Sequence, residues 1–475
     1  MIHLSSSIIQ YIKDTFGEEF LKEYKNFAVD KYPSYIRTND NRIELQRLIN
    51  NLQKQGIYLR KNDDIENTFQ ITEGENLAGK TIEHLLGKYY IQSLSSMIPA
   101  LVLSPTKQDN VLDLCAAPGS KSTQIAQLMD YRGTLYSNEP NQNRIKALVH
   151  NLDKSNAVNM HVLKSKGELL SKVYNEYFDK ILVDAPCSAL GVIQKNQEVS
   201  NWWNINSVKK LSSLQLKLLI SAIKMAKVGA DIVYSTCTLT IEENEYVINK
   251  VIENYPVELV EFDINLPYIC GYKRIGEFKF NSDIEKTKRI IPWQINSEGF
   301  FIAKLIKKSP TNSNVEGAKF KNEGRKYIEA ENKLIKEFIM ETAEYYGIDF
   351  NLFKKFKYII KGTDIYFVNG DVSLSKIDNF VRIGIKFGII DKNKKLKLHS
   401  NAAQLFGLHA KKNIIELRNY AEVKTYFNGG IINYDECFRG QKIIKYDELI
   451  LGTAVAINYG LKSQFPRSMR TTALN

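Results

Sequence analysis

From Gly87 onward the chain alternates short apolar runs with amphipathic stretches. Val111–Leu114, Thr134–Tyr136, Lys180–Val183 and Asp231–Ser235 are apolar runs that end at small or polar residues. Between them, Lys121–Met129, Gln142–Lys154 and Ser207–Lys227 carry apolar positions at helical spacing. Strand, turn and helix in repeated alternation predict an α/β fold, doubly wound around a parallel sheet. Gly299–Leu305 (GFFIAKL) predicts one more strand. Ahead of this region, helical patterns at Ile8–Phe16, Glu18–Phe27 and Arg42–Gln55 mix with an extended stretch at Gly56–Leu59, the texture of a small α+β domain. Behind it, Ser309–Gly317 (SPTNSNVEG) is polar and contains proline, a linker pattern. A helical stretch at Arg325–Tyr346 and short strands rich in Gly and Lys follow to Asn475. The expected organisation is an N-terminal domain (1–85), a central α/β domain (86–308), a linker (309–324), an intermediate domain (325–395) and a C-terminal domain (396–475).

Composition narrows the class. A chain of 475 residues has room for about three domains, and 44% apolar with 25% charged residues is globular composition. No window holds 18 consecutive apolar residues, and the opening MIHLSSSIIQYIKDTF lacks the charged-then-apolar order of a signal peptide. Five cysteines without CxxC spacing argue against a disulfide framework or a structural zinc site. A reduced, cytoplasmic protein without a membrane partner is expected. The net charge of +12 is unevenly spread: residues 351–475 hold 21 Lys+Arg against 10 Asp+Glu, and the first 350 hold 44 against 43. Such a cationic end suits a polyanion, where counterion release from phosphates drives contact; a solubilising lysine-rich face is the alternative.

The run VLDLCAAPGSKSTQIAQLM (Val111–Met129) places a strand, a small-residue turn and a helix start in succession, with Ser120 as the expected helix N-cap. Pro118-Gly119 brings backbone amides to the edge of the strand. The loop is neither GxGxxG nor a Walker loop, so a ligand with a pyrophosphate fits less well than one whose carboxylate, amino group and ribose must be held. Glu139, ending the second strand, stands where an acid accepts hydrogen bonds from ribose hydroxyls.

Two further strand ends carry cysteines. Asp184-Ala185-Pro186-Cys187 follows Ile181–Val183, and Ser235-Thr236-Cys237-Thr238 follows Ile232–Tyr234. Carboxyl ends of neighbouring strands share one crevice, so two thiols and a carboxylate would face the ligand. Each cysteine alone reads as a small buried apolar residue; together, beside an acid and a lysine, they read as chemistry. A pyrimidine explains the set. Carbon 5 of cytosine is not nucleophilic until something adds to carbon 6, and a thiolate does this if a group such as Asp184 serves nitrogen 3. The proton on carbon 5 must later leave and the sulfur be expelled, so a second acid/base nearby is useful.

VLDLCAAPGSK, the DAPCS segment, YSTCTL and the following Glu243-Asn244-Glu245 resemble the Sun-type RNA cytosine-5 methyltransferases, and within them the RsmF-like bacterial ribosomal RNA enzymes. YYIQSLSSM and RIIPWQINSEGFFIAKL extend the likeness over Gly87–Leu305. Phe438–Gln441 and Gly460–Arg470 resemble the family's PUA-like RNA-binding domain. The resemblance implies a Rossmann-like domain in which Cys115, Ala116, Ala117, Pro118, Gly119, Ser120, Lys121, Glu139 and Asp184 bind S-adenosylmethionine. It implies that Cys237 is the nucleophile, that Cys187 assists product release, that Lys121 lies between cofactor and base, and that Asp184 contacts the base edge. It also implies an N-terminal RNA-recognition-like domain and a monomer that methylates carbon 5 of cytidine in ribosomal RNA, with the small-subunit RNA preferred. Transfer RNA as substrate and a non-catalytic ribosome assembly factor are the alternatives. Three positions depart from the pattern. Lys166 precedes Gly167 where an acid usually takes the adenine amino group, Ala189 replaces a glycine after DAPCS, and Trp293 replaces a histidine.

Weaker signals remain. Trp202-Trp203 suits a stacked base but more often packs under the adjacent helix. The six histidines show no ligand spacing, and no metal is assigned. Cys270 and Cys437 read as structural. Lys462, Arg467 and Arg470 interleave with Tyr459 and Phe465, a surface for phosphate and sugar.

Overall fold

A computed structural model describes residues 4–195, 198–311, 326–372, 380–434 and 439–474. Its centre is a ten-stranded sheet. Five strands are parallel: β1 (Asn110–Asp113), β2 (Thr134–Asn138), β3 (Met160–Leu163), β4 (Phe178–Asp184) and β5 (Ala226–Thr236). They lie in the order β5-β4-β1-β2-β3. The chain runs outward from β1 to β3, crosses back to β4, and continues to β5, so the crevice between β1 and β4 is a topological switch point. The four predicted strands lie at β1, β2, β4 and β5, with β3 in addition, and the near-continuous burial of β2, β3 and β4 is the mark of strands covered on both faces. Antiparallel strands extend both edges: β6 (Val257–Leu259), β7 (Ile269–Cys270), β8 (Lys288–Ile290) and β9 (Phe300–Lys307) on the β5 side, and β10 (Phe380–Ile383) beside β3.

The helices that cover the sheet are α1 (Ser120–Leu128), α2 (Gln142–Lys154) and α3 (Ile205–Met225). Asn141 caps α2, its side chain accepting from the Asn143 and Arg144 amides. The cap of α1 is Gly119, one residue before the expected Ser120, because the chain enters this helix at φ +111°, a conformation that favours glycine. A further helix, Leu94–Leu103, is buried nearly all round, its two serines included, as a helix without a polar face requires. Among the described residues no helix is long and apolar enough to cross a membrane.

The flanking regions depart from a simple string of domains. A four-stranded antiparallel sheet (Tyr58–Lys61, Thr68–Glu73, Tyr35–Thr38, Tyr89–Gln92) forms the N-terminal body. The first two helices, Ser6–Phe16 and Glu18–Val29, pack elsewhere: Ile8, Ile12, Leu21, Tyr24 and Phe27 share a core with Leu190, Val208 and Leu239 of the central domain. Beyond the linker, which past Thr311 lies outside the described residues, the expected helix Arg325–Tyr346 is helical only over Lys336–Tyr346; Ile328–Glu329 is a strand instead, paired with Phe356–Lys361. Two five-stranded sheets follow. The expected intermediate domain does not stand apart, since its Phe380–Ile383 is the β10 edge of the central sheet and its own sheet closes with Leu396–Leu398, past residue 395. The C-terminal sheet shares a core with the N-terminal body, where Ile36, Leu48 and Leu52 join Ile415, Phe427 and Leu451, and Arg47 pairs with Glu448.

Candidate active site

The strand ends predicted to carry chemistry meet in one crevice at the carboxyl edge of β2, β1, β4 and β5. The loop after β1 is drawn into a collar by three bonds. The Ala116 amide donates to Asn138 O (2.9 Å), Asn151 Nδ2 to Pro118 O (2.9 Å) and Arg144 Nη2 to Ala117 O (2.7 Å). The Ala117–Pro118 peptide is cis. Cys115 to Ser120 thus lead into the N-terminus of α1, where unpaired amides favour an anionic group. Glu139, just past β2, is buried; its Oε1 accepts from the Asn141 amide (2.8 Å) and its Oε2 pairs with Arg144 (3.1 Å).

Two residues of this half escaped sequence reasoning. Asn138 clamps three strand ends: its Nδ2 donates to Leu114 O and Ser165 O (3.0 Å each), and its Oδ1 accepts from the Ser165 amide (3.1 Å). Asp113 ends β1 fully inside the protein. Ser122 Oγ donates to its Oδ2 (2.7 Å), and its Oδ1 has no partner among the described residues. Burial pushes its carboxyl up to about 7; the Ser122 bond opposes the shift and the nearby Asp184 adds to it. An acid closing the first strand, in VLDLC, was the available signal. Burial and the charges of Asp113, Asp184 and Glu139 together push the Cys115 thiol well up. Three acidic groups acting on one sulfur favour a ligand with fixed positive charge.

The other half holds the sulfurs. Cys187 follows β4, Cys237 follows β5, and their Sγ atoms lie 3.1 Å apart as free thiols, each partly exposed. Lys121, on the first turn of α1, reaches across with Nζ 2.8 Å from Asp184 Oδ2 and 3.2 Å from Ser96 Oγ, over the Phe300 ring. Ser235 Oγ donates to Asp184 Oδ1 (2.8 Å). Burial works against the Lys121 charge, but Asp184 outweighs it and holds the ammonium above its ordinary range. The hydrogen bond to Cys237, with burial, raises the Cys187 thiol well above its usual value.

The Glu243-Asn244-Glu245 run, which the sequence marked only as part of a pattern, braces both cysteine loops. Glu243 Oε1 accepts from the Ser188 amide (2.9 Å). Thr236 Oγ1 donates to Asn244 Oδ1 (2.6 Å) and Asn244 Nδ2 to Thr238 O (3.1 Å), one clamp on each side of Cys237. Glu245 forms a two-pronged pair with Arg289, which donates in turn to Leu239 O (2.9 Å); both side chains are buried. Gly191 lies between the loops, its amide donating to Cys237 O (3.0 Å); a Cβ there would stand 2.4 Å from Gly299 O.

The departures acquire physical reasons. Ala189 sits at φ +59°, the left-handed region that glycine fills most easily. Trp293 packs edge-on against Phe20 (4.7 Å) and so anchors the second N-terminal helix. Lys166 is exposed ahead of the short turn Gly167–Lys172. Trp203 is buried against Tyr11, and Trp202 is exposed. Cys270 is exposed on β7, and Cys437 and Phe438 lie outside the described residues. The expected interleaved basic and aromatic surface is not continuous: Tyr459 is 84% exposed, but Phe465 is buried and its carbonyl accepts from Arg470 Nε (3.1 Å). Alternation of residue types does not distinguish a surface aromatic from a core one in a stretch without regular period.

Residues 100–306 match a family model described as 16S rRNA methyltransferase RsmB/F. Over 486 aligned residues the chain is 30% identical to the Ribosomal RNA small subunit methyltransferase F of Shewanella piezotolerans, covering 99% of this chain and 98% of that protein. It is 34% identical over 306 residues to the 26S rRNA (cytosine-C(5))-methyltransferase nsun-1 of Caenorhabditis elegans, covering 63% of this chain but only 46% of that protein. A crystal structure of a methyltransferase homolog from Pyrococcus horikoshii superposes with a TM-score of 0.57 at 30% identity, covering 63% of this chain and 93% of that one.

Proposed function

The chain belongs to the RsmB/F family of rRNA methyltransferases, and from that membership we propose that it transfers a methyl group from S-adenosylmethionine to carbon 5 of a cytidine in small-subunit ribosomal RNA. One observation carries the reading: two free sulfurs 3.1 Å apart, on adjacent strand ends, beside the Lys121–Asp184 pair and the acids that act on Cys115.

The residues fit the cofactor. Glu139 would take the ribose hydroxyls, the Cys115–Ser120 collar would lie along the methionine part, and Asp113 Oδ1, buried and unpartnered, would accept from a bound cation. When bound, S-adenosylmethionine supplies the methyl group as an electrophile on a sulfonium. The protein's own part is the activation of the base. Cys237 would add to carbon 6 of the ring. Asp184, with Lys121 and Ser235 fixing its two oxygens, would hold the nitrogen 3 edge, and Cys187 would assist expulsion of Cys237 at the end. A cytidine must be unstacked to enter such a crevice. The Tyr35–Gln92 body would serve as an RNA-recognition-like module and the Ile414–Ser463 sheet as a PUA-like one, with the chain acting as a cytoplasmic monomer on ribosomal RNA.

Sequencing small-subunit rRNA for 5-methylcytosine in a strain lacking the gene tests the substrate. Loss of one or more marks is expected; intact rRNA marks with loss from transfer RNA would overturn the substrate reading.

A further inference from the structure

Two thiols within 3.1 Å of each other, each partly exposed at the same crevice, offer two candidate nucleophiles for one ring carbon. Their surroundings differ. Lys121 pairs with Asp184, whose other oxygen accepts from Ser235, two residues before Cys237 (2.8 Å). The Glu243 carboxyl is bonded to Ser188, the residue after Cys187, and its charge helps to raise the Cys187 thiol. Glu243 is wholly buried, and four donors converge on it: the Ser188 amide (2.9 Å), Ser188 Oγ, Gln215 Nε2 (2.8 Å) and Thr240 Oγ1 (2.6 Å). Burial pushes the Glu243 carboxyl up from its ordinary value, and the bonds from Ser188, Thr240 and Gln215 pull it back toward the ionised form. Gln215 Nε2 also donates to Pro186 O (2.8 Å), so the same cluster grips the residues on both sides of Cys187. Ser188 Oγ, donating to Glu243, accepts from Thr238 Oγ1 (2.8 Å) and ties this loop to the one bearing Cys237.

We propose that Glu243 is a positioning residue that assigns the roles of the two sulfurs: its buried negative charge, placed on the Cys187 side, reserves attack for Cys237 and keeps Cys187 as the hydrogen-bond donor. The proposal rests on the reading of Cys237 as nucleophile given above. In the addition step the Cys237 thiolate forms a bond to carbon 6 with its own electron pair, and the carbon 5–carbon 6 π pair moves toward carbon 5. In the last step the carbon 5 proton passes to solvent, and as its electron pair restores the carbon 5–carbon 6 double bond the carbon 6–sulfur bond breaks and its pair returns to Cys237 as thiolate, where the Cys187 S–H, 3.1 Å away, donates to it. Cys187 gains and loses no proton over the cycle. A negative charge on Cys187 itself would face Glu243, and a neutral sulfur beside Cys237 is what expulsion needs. The charged or titratable groups that interact around the pair include Lys121, Asp184, Asp113, Cys115, Glu243 and Tyr234, whose hydroxyl donates to Glu243 O (2.6 Å).

Alkylation of the full-length protein by iodoacetamide, followed by peptide mass spectrometry, reads each cysteine separately. At pH 7.5 the unaltered protein should label Cys237 about tenfold faster than Cys187, because the thiolate is the reactive form. Glu243→Gln should narrow that ratio about fivefold and lower the pH midpoint of Cys187 labelling by roughly one unit, and Glu243→Asp should restore both. A purely structural role for Glu243 would change both rates together and leave the midpoint in place. If Glu243→Gln does not fold, the double variant Gln215→Leu/Thr240→Val keeps the carboxyl but strips two of its donors; the ratio should then narrow at pH 6 and recover at pH 8. An unchanged ratio and midpoint in the folded variants would overturn the proposal. Faster labelling of Cys187 in the unaltered protein would instead overturn the reading of Cys237 on which it rests.

Discussion

The two halves of the crevice are built differently. Around Cys115 the protein presents backbone amides and three acids, and leaves one buried carboxylate oxygen of Asp113 unpaired. Around Cys187 and Cys237 it leaves little open: Glu243, Asn244 and the Glu245–Arg289 pair brace both loops with short hydrogen bonds. A buried acid with one oxygen lacking a partner among the described residues costs stability, and a ligand can supply that partner. A braced pair of sulfurs is geometry prepared in advance, which is what attack on a poorly reactive ring requires. The donor half waits for its ligand; the sulfur half is finished by the fold.

The largest test of that division is removal of the attacking sulfur. Cys237→Ala should lower methyl transfer by about 10⁴-fold or more while leaving S-adenosylmethionine binding within about twofold, measured by tritium transfer and calorimetry. Cys187→Ala should spare the addition but slow expulsion, so that a covalent protein–RNA complex accumulates on denaturing gels; its absence would remove Cys187 from the release step. Next in size is the brace. Arg289→Leu strands a buried Glu245, which should cost about 3–5 kcal/mol in denaturant unfolding. The double variant Arg289→Leu/Glu245→Leu should recover much of that stability but not the activity, because Leu239 O loses its donor beside the Cys237 loop. Full activity in the double variant would mean that the brace is a stability device alone.

The same division marks how far the sequence could be read. The donor half is local: β1, the collar and α1 are one continuous stretch, and its strand–turn–helix pattern shows in residue order. The sulfur pair was legible for a different reason, since parallel strand ends share an edge whatever separates them in the chain. Packing between distant segments was not legible. Nothing in Ser6–Val29 indicates that these helices leave the N-terminal sheet to lie under Leu190 and Leu239, with Tyr24 donating to Leu190 O (3.0 Å). Nor does Phe380–Ile383 differ in type from its chain neighbours Asp364–Asn369 and Ile385–Ile390, which form another sheet, yet it pairs with β3. An apolar face declares that it is buried and not against what. Asn138 and Asp113 were missed for a related reason: a polar residue at a strand end reads as exposed until the bonds it satisfies are known.

The smallest effect tests the open half directly. Asp113 is raised from 3.8 to about 7 by burial in the folded protein, so between those values the folded state binds a proton that the unfolded state has released. Stability therefore falls as pH rises through that window, and the full cost is present above about pH 7. Asp113→Asn removes the charge and keeps an acceptor for Ser122. Without cofactor, the variant should gain stability at pH 8 and gain none below about pH 4. Three units correspond to about 4 kcal/mol at most, and about 2 kcal/mol is expected once the surroundings relax. With saturating S-adenosylmethionine the order should reverse: the unaltered protein should be stabilised more than the variant, because only the carboxylate pairs with a bound cation. Thermal unfolding at pH 4 and pH 8, with and without the cofactor, gives the four values. If the variant gained nothing at pH 8, Asp113 would be as well satisfied as Asp184, and the contrast between an open half and a braced half would fail at the residue that defines it.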